Sequence, residues 1–133
     1  MSVTPPIPNL LVIRSADIER AVTFYETLGV RFERHSHGNG PEHYASETCG
    51  FVFEIYPLLD PSAVTTNTRI GFNVDSVDRS LELLAQLNVD VVSSARDSKW
   101  GRRAVVRDPD GHTVELVTPP NREQVQHSPR KAE

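Results

Sequence analysis

Cysteine is almost absent from this chain, and long apolar runs are missing altogether. The single cysteine, Cys49, excludes a disulfide within the chain and is typical of a protein in the reducing cytoplasm. No apolar run approaches the ~20 residues that a membrane-spanning helix needs, and no basic segment followed by an apolar stretch stands at the start. We therefore expect a cytoplasmic protein with no secretory signal and no membrane partner.

Clusters of lysine and arginine are missing too, and the net charge is −4 at pH 7. Because the neutralisation of phosphates supplies most of the affinity for duplex nucleic acid, we expect no nucleic-acid partner. Hydrophobic residues make up 38% of the 133 residues and charged residues 24%, which is enough apolar material for a folded core. The length predicts one domain.

The two ends differ in composition from the middle of the chain. Residues 1–8 contain three prolines and predict an N-terminal arm, and residues 119–133 begin with two prolines and continue polar, which predicts a mobile tail. The folded domain is therefore expected over residues 9–118.

The chain repeats itself at a shift of 59 residues. Asp17 falls on Ser76, and both are good helix N-caps. Gly29 falls on Asn88, and these two residue types best tolerate the left-handed end of a helix. One helical face also repeats, with apolar spacing i, i+3, i+4 and i+7: Ile18, Ala21, Val22, Tyr25 and Leu28 fall on Val77, Ser80, Leu81, Leu84 and Leu87.

After a two-residue insertion, which we place before the third strand, the shift becomes 61. Gly50 then matches Gly111, and Glu54 matches Glu115 within similar strands. The sequence therefore predicts an α+β fold of two tandem βαβββ units, about 9–58 and 68–118, with mixed sheets curled around a shared groove. The predicted strands are 10–14, 32–36, 43–46 and 51–56 in the first unit, and 69–74, 91–95, 103–107 and 113–117 in the second.

Strand residues alternate between the two faces of a sheet. One face is apolar and is expected to pack under the helices. The other face carries both glutamates together with Arg14, Tyr44, Tyr56, Arg69, Asn73 and Arg103. Such a face suits a small-molecule groove, and the alternative is an ordinary solvated sheet face with ion pairs.

Two motifs carry a family resemblance. Residues 15–25 with Leu28-Gly29 form one, and residues 108–116, beginning Asp-Pro-Asp-Gly, form the other. Together with the repeat, they resemble the vicinal oxygen chelate superfamily over about residues 8–118. That superfamily includes glyoxalase I, extradiol dioxygenases, fosfomycin-resistance enzymes and bleomycin-resistance proteins. The resemblance implies the fold, but one fold hosts many chemistries.

In the metal-dependent members, the resemblance implies four ligands, two from first strands and two from fourth strands. The fourth-strand positions are Glu54 and Glu115, whereas the first-strand positions are Leu10 and Arg69, which cannot ligate a cation. We therefore expect no cofactor, and an Arg–Glu cluster in the place of the metal. The alternative is a single divalent ion (Zn, Ni, Mn or Fe) held by Glu54 and Glu115.

Histidines offer a second possible metal site. His35, His37 and His43 lie within nine residues and could bind a transition metal. The alternative is that His35 and His37 lie at a solvated strand end and loop. The repeat places His43 on the helix side of the sheet, away from the groove. His112 is expected to be exposed, and Cys49 is expected to be an inert thiol.

Three functions remain open. The first is a metal-free protein that binds a polar or anionic small molecule, as bleomycin-resistance proteins sequester a drug, with Arg69, Arg103, Tyr44, Tyr56, Asn73 and Arg14 as ligand-binding residues. The second is a glyoxalase-type lyase or isomerase with Glu54 or Glu115 as the catalytic base. The third is a non-catalytic subunit or carrier. Exposed sheet edges and the resemblance both favour a homodimer.

Overall fold

The computed structural model of the chain describes residues 4–36 and 38–120. The chain divides into two compact units, Met1–Thr65 and Thr66–Glu133. Residues 121–133, which make up most of the predicted tail, and His37 of the predicted histidine cluster lie outside the described residues.

The first unit is a four-stranded mixed sheet with one helix. Its elements are β1 (Leu10–Ser15), α1 (Ile18–Thr27), β2 (Glu33–His35), β3 (His43–Thr48) and β4 (Phe51–Pro57), followed by a short 3-10 helix, Pro61–Ala63. The strand order is β1-β4-β3-β2, with β1 parallel to β4 and the other neighbours antiparallel.

The second unit repeats this arrangement. Its elements are β5 (Arg69–Asn73), α2 (Val77–Ala85), β6 (Asp90–Ser98), β7 (Gly101–Arg107) and β8 (Thr113–Thr118). The strand order is β5-β8-β7-β6, again with the first pair parallel. The predicted pair of βαβββ units is confirmed. With ten and nine residues, neither helix is long enough to cross a bilayer.

Both helices begin where the sequence predicted. The Asp17 carboxylate accepts a hydrogen bond from the backbone N–H of Arg20 at 3.3 Å, and the Ser76 hydroxyl accepts one from Arg79 at 3.1 Å. These are N-caps, which satisfy an amide that has no partner within the helix. After the helices, Gly29 (φ 108°) and Asn88 (φ 55°) reverse the chain.

Each helix covers the apolar face of its own sheet. The helix α1 buries Ala21, Val22, Phe24 and Tyr25, and α2 buries Val77, Ser80 and Leu84. The sheets contribute the rest of each core, namely Ile13, Phe53 and Ile55 in the first unit and Ile70, Ala104, Val106, Val114 and Leu116 in the second. Each fully buried aliphatic or aromatic side chain stabilises the fold by ~1.5–3 kcal/mol. Because the face under the helix supplies this core, the other face of each sheet can carry polar groups.

The hairpins between the third and fourth strands differ in length. Thr48 pairs with Phe51 across a two-residue turn in which Cys49 and Gly50 both have positive φ, 52° and 82°. In the second unit, the backbone N–H of Asp108 donates to the His112 carbonyl oxygen at 3.0 Å, which leaves three residues in the turn. One of the two inserted residues therefore lies in this turn, and placing both before the third strand was wrong. The third strands match at a shift of 60, which moves every β3 side chain to the face opposite the predicted one.

Candidate functional site

Glu115 lies at the centre of the polar face of the second sheet. Its Oε2 accepts a hydrogen bond from Arg69 Nε at 2.5 Å, and its Oε1 accepts two from Arg103, from Nε at 2.9 Å and from Nη2 at 2.5 Å. Arg69 projects from β5 and Arg103 from β7, the two strands on either side of β8. The prediction that Arg69 lies against a glutamate is confirmed for Glu115.

The two arginines determine the charge state of this carboxylate. The hydrogen bond from Arg69, reinforced by Arg103, holds the pKa of Glu115 below its usual value, although partial burial opposes this shift. The same contact raises the pKa of Arg69. Glu115 is therefore ionised and paired throughout the neutral range, and its oxygens act as acceptors for the arginines.

A cavity of about 590 Å³ opens beside this cluster. Its lining comes entirely from the second unit: Asn73, Arg96, Ser98, Trp100, Arg103, Glu115, Val117 and Pro119. Of the predicted site residues in this unit, Asn73, Arg103 and Glu115 line the cavity, and Arg69 reaches it through Glu115. The sequence analysis missed Arg96, Ser98 and Trp100, because it ended the second strand at residue 95 and began the third at 103.

The strands in fact continue into a tight turn. Ser98 pairs with Gly101, and the Ser98 hydroxyl donates to the Gly101 carbonyl oxygen at 2.7 Å, so Trp100 sits in a two-residue turn at the cavity. Gly101 has φ 118°, and a Cβ there would overlap the backbone carbonyl of Thr118. Only glycine fits this approach. The signal in the sequence for this hairpin was Gly101, which follows the polar residues 97–99 and Trp100.

The polar face of the first sheet is built differently around Glu54. His43 is buried, and its Nε2 lies 3.6 Å from Glu54 Oε2. The His43 ring stacks on the Tyr56 ring with 4.1 Å between their centroids. The Cζ atom of Arg14 lies 4.9 Å from the centroid of the Tyr56 ring. Glu54, Tyr56 and Arg14 therefore share one face, as predicted. The prediction that His43 lies on the helix side is wrong, because of the shorter hairpin.

Tyr44 is the predicted groove residue that the structure removes from this face. Its hydroxyl donates to Glu19 Oε1 of α1 at 2.7 Å, and its ring meets Phe32 edge-on. The hydrogen bond to Glu19 raises the pKa of Tyr44. Its partner across the β3–β4 ladder is Ile55, a core residue, so Tyr44 lies on the helix side. Because the two hairpins differ in length by one residue, the prediction assigned Tyr44 and His43 each to the wrong face of the sheet.

His112 is buried, and the expectation that it is exposed was wrong. Asp108 Oδ1 accepts from the backbone N–H groups of Asp110, Gly111 and His112, each at 3.0 Å, and Asp108 Oδ2 accepts from His112 Nδ1 at 2.8 Å. Asp108, Asp110 and His112 also offer ligand atoms within 4.8 Å of one another. Because both Asp108 oxygens already accept hydrogen bonds, the arrangement is that of a locked turn.

A model of the Glyoxalase/Bleomycin resistance protein/Dioxygenase superfamily matches residues 7–116. The chain belongs to this superfamily. Three solved structures share the superfamily fold with it. TnmS3, described as an antibiotic binding protein from Streptomyces sp. CB03234, is 24% identical over 90% of this chain and 100% of its own, with a TM-score of 0.68. A glyoxalase/dioxygenase from Nostoc punctiforme is 18% identical over 91% and 99%, with a TM-score of 0.70. The oxidase ChaP-H2 is 20% identical over 92% and 98%, with a TM-score of 0.66.

The residues at the superfamily's implied metal positions do not fit a four-ligand ion. Leu10 offers no ligand atom, and Arg69 brings a cation to the position of a neutral donor. Both oxygens of Glu115 are held by guanidinium groups, so a divalent ion there would displace two ion pairs and face their positive charge. Glu54 with His43 leaves two donors on the first sheet.

Proposed function

We propose that this member of the superfamily binds a small molecule without a complete metal site, in the groove on the polar face of its second sheet. The observation that carries the proposal is the double pairing of Glu115 with Arg69 and Arg103. It places a fixed, charged hydrogen-bonding group where the resemblance implies a metal ligand.

The shape and lining of the cavity support this function. Its volume of about 590 Å³ is within the range of ~300–1,000 Å³ typical of ligand pockets. Trp100, Val117 and Pro119 give an apolar wall, and Asn73 and Arg103, which flank Val117 on the neighbouring strands, give hydrogen-bonding groups. TnmS3, which shares the fold, is described as an antibiotic binding protein. We assign ligand contacts in this groove to Asn73, Arg69 and Arg103, whereas the predicted binding roles of Arg14 and Tyr56 stay a prediction for the polar face of the first sheet.

The single tryptophan makes the proposal directly testable. Trp100 lines the cavity, and no other tryptophan contributes to the emission of the protein. A chemically diverse set of small molecules should contain compounds that saturably change this emission. Treatment with EDTA, or addition of zinc, nickel, manganese or iron, should leave the affinity unchanged. A saturable ligand whose binding is abolished by EDTA, together with near-stoichiometric metal by elemental analysis, would show that the site is a metal centre.

A second candidate function rests on Glu54. Its carboxylate is partly accessible, and the imidazole of His43 lies beside it, with Nε2 3.6 Å from Glu54 Oε2. We propose that in a lyase or isomerase Glu54 would take a proton α to a carbonyl of a small oxygenated substrate. Exchange of α-protons of an α-hydroxy ketone for deuterium, followed by NMR, tests this. Glu54→Gln should abolish the exchange and Glu47→Gln, an exposed neighbour on β3, should retain it; an unchanged rate in Glu54→Gln removes the candidate.

We also propose that the chain works as a homodimer in the cytoplasm. Each sheet ends in two edge strands, and on β6 the side chains of Val91 and Val92 are about half exposed. An exposed edge strand offers unpaired backbone groups with which a second chain can pair. Light scattering should give about twice the chain mass of 14.9 kDa; a mass of a single chain at micromolar concentration contradicts the dimer.

A further inference from the structure

We infer that the ligand of the second-unit groove is an organic oxyanion whose charged group binds the Arg96–Arg103 pair. The inference rests on the proposed function, because it names the chemical class of the ligand for the same groove. Its evidence lies in the charges across β6 and β7, which the pairing of Glu115 does not explain.

Arg96 and Arg103 are directly opposite each other on neighbouring strands. Like charges in this arrangement destabilise a sheet. Glu115 compensates Arg103, but it also accepts from Arg69, so one carboxylate serves two guanidinium groups. Adding Arg96 gives the groove an excess of positive charge, which an anionic ligand would balance.

Arg96 lines the cavity, and no carboxylate pairs with it among residues 4–36 and 38–120. The nearest acid in sequence, Asp97, accepts from Arg102 at 3.1 Å, and Arg102 also contacts Asp78 of α2 on the helix side. At the start of β6, Asp90 accepts from Arg107. The acids of this strand are therefore committed to other arginines.

Hydrogen-bond donors predominate over acceptors in the groove. Arg103 uses Nε and Nη2 on Glu115, which leaves the donors of Nη1. Both oxygens of Glu115 are engaged, so they offer little to a cationic ligand. Carboxylate, phosphate and sulfonate groups match a guanidinium fork. The apolar wall of Trp100, Val117 and Pro119 then suits an anion that carries a hydrophobic group.

Three probes of one shape and different charge test the inference on the full chain: 2-naphthoate, neutral 2-naphthamide and 2-naphthylmethylammonium. Binding is measured by calorimetry and by the shift of the Trp100 indole N–H resonance. We expect the carboxylate to bind at least about tenfold more tightly than the amide, a difference of ~1.4 kcal/mol. High salt should reduce that preference, since exposed charges are screened. Inorganic phosphate at the same concentration should compete weakly, because it lacks the hydrophobic group.

Matched variants locate the recognition. Arg96→Gln should weaken binding of the carboxylate much more than binding of the amide, and so remove most of the preference for carboxylate. Arg79→Gln, which removes the same charge from an exposed position on α2, should change neither. If amide and carboxylate bind equally, or the ammonium binds best, the inference is wrong while the ligand groove stands. If no probe of any charge shifts the indole resonance, the proposed function is wrong and the inference falls with it.

Discussion

His43 occupies on the first sheet the position that Arg103 occupies on the second, and each lies against the glutamate of its own unit. The His43 Nε2 atom is 3.6 Å from Glu54, and Arg103 Nη2 is 2.5 Å from Glu115. Arginine is always charged and arrives with a fork of donors, whereas histidine can be neutral. The repeated scaffold thus presents Glu115 paired with two arginines and Glu54 beside an imidazole. We therefore assign ligand binding to the site around Glu115 and propose proton transfer for Glu54.

Arg103 should stabilise the fold more than Arg69. The Arg103 side chain is 23% exposed and donates twice to Glu115, whereas Arg69 is 54% exposed and donates once. We expect Arg103→Met to lower the free energy of unfolding by about 1–2 kcal/mol and Arg69→Met by less than about 1 kcal/mol. Urea unfolding measures both, and Arg79→Met is the control. Equal losses, or a larger loss in Arg69→Met, would contradict the assignment.

Glu115 should contribute to stability only above acid pH. Its pKa in the folded protein lies below its usual value of 4.5, so the unfolded chain takes up the proton first as pH falls. The stabilisation is fully present above that usual value and is lost as pH decreases through the folded pKa. Glu115→Gln should therefore flatten the dependence of unfolding free energy on pH as pH falls below about 5. Parallel curves for the variant and the parent would show that the pairing has no such effect.

Two glycines of the second unit should differ in their response to substitution by alanine. In Gly101→Ala, the new Cβ would overlap the backbone of Thr118, and alanine disfavours the left-handed φ of this position. We therefore expect the free energy of unfolding to fall by about 2 kcal/mol or more. Around Gly71 a Cβ meets nothing within 4 Å, and Gly71→Ala should be neutral or stabilise by up to about 1 kcal/mol. Thermal unfolding measures the two changes. A tolerated Gly101→Ala would mean that the turn at Trp100 is not as closely packed against β8 as the structure has it.

Asp108 should be the most sensitive acid of the second unit. Three backbone amides and the buried His112 ring depend on its two oxygens. We expect Asp108→Ala to lower the free energy of unfolding by about 2–4 kcal/mol, because buried donors lose their acceptors. Asp97→Asn, at an exposed acid of β6, should cost less than about 0.5 kcal/mol. Comparable losses in the two variants would rule out the locked turn.

The sequence predicted the fold well because caps, helix faces and strand alternation are local signals that repeat. Asp17 and Ser76 cap their helices, and every predicted strand is present. The face to which each side chain points was harder to predict, because successive side chains alternate between faces. One residue misplaced in the alignment of the repeat put Tyr44 and His43 on the wrong faces, although the strand itself was correct. Trp100 was missed for another reason, because its turn is defined by a close backbone approach at Gly101 rather than by hydrophobic pattern.

The unequal hairpins also bear on how a duplicated gene diverges. The turn before β8 carries one residue more than the Cys49-Gly50 turn, yet His43 and Arg103 hold equivalent positions and each lies against the glutamate of its own unit. The additional residue is therefore accommodated within the turn, and the pairing of the two strands is retained. A codon gained at such a turn lengthens the loop and leaves the row of groove residues in place, so the two units differ in chemistry through substitutions within the strands, such as histidine in one and arginine in the other.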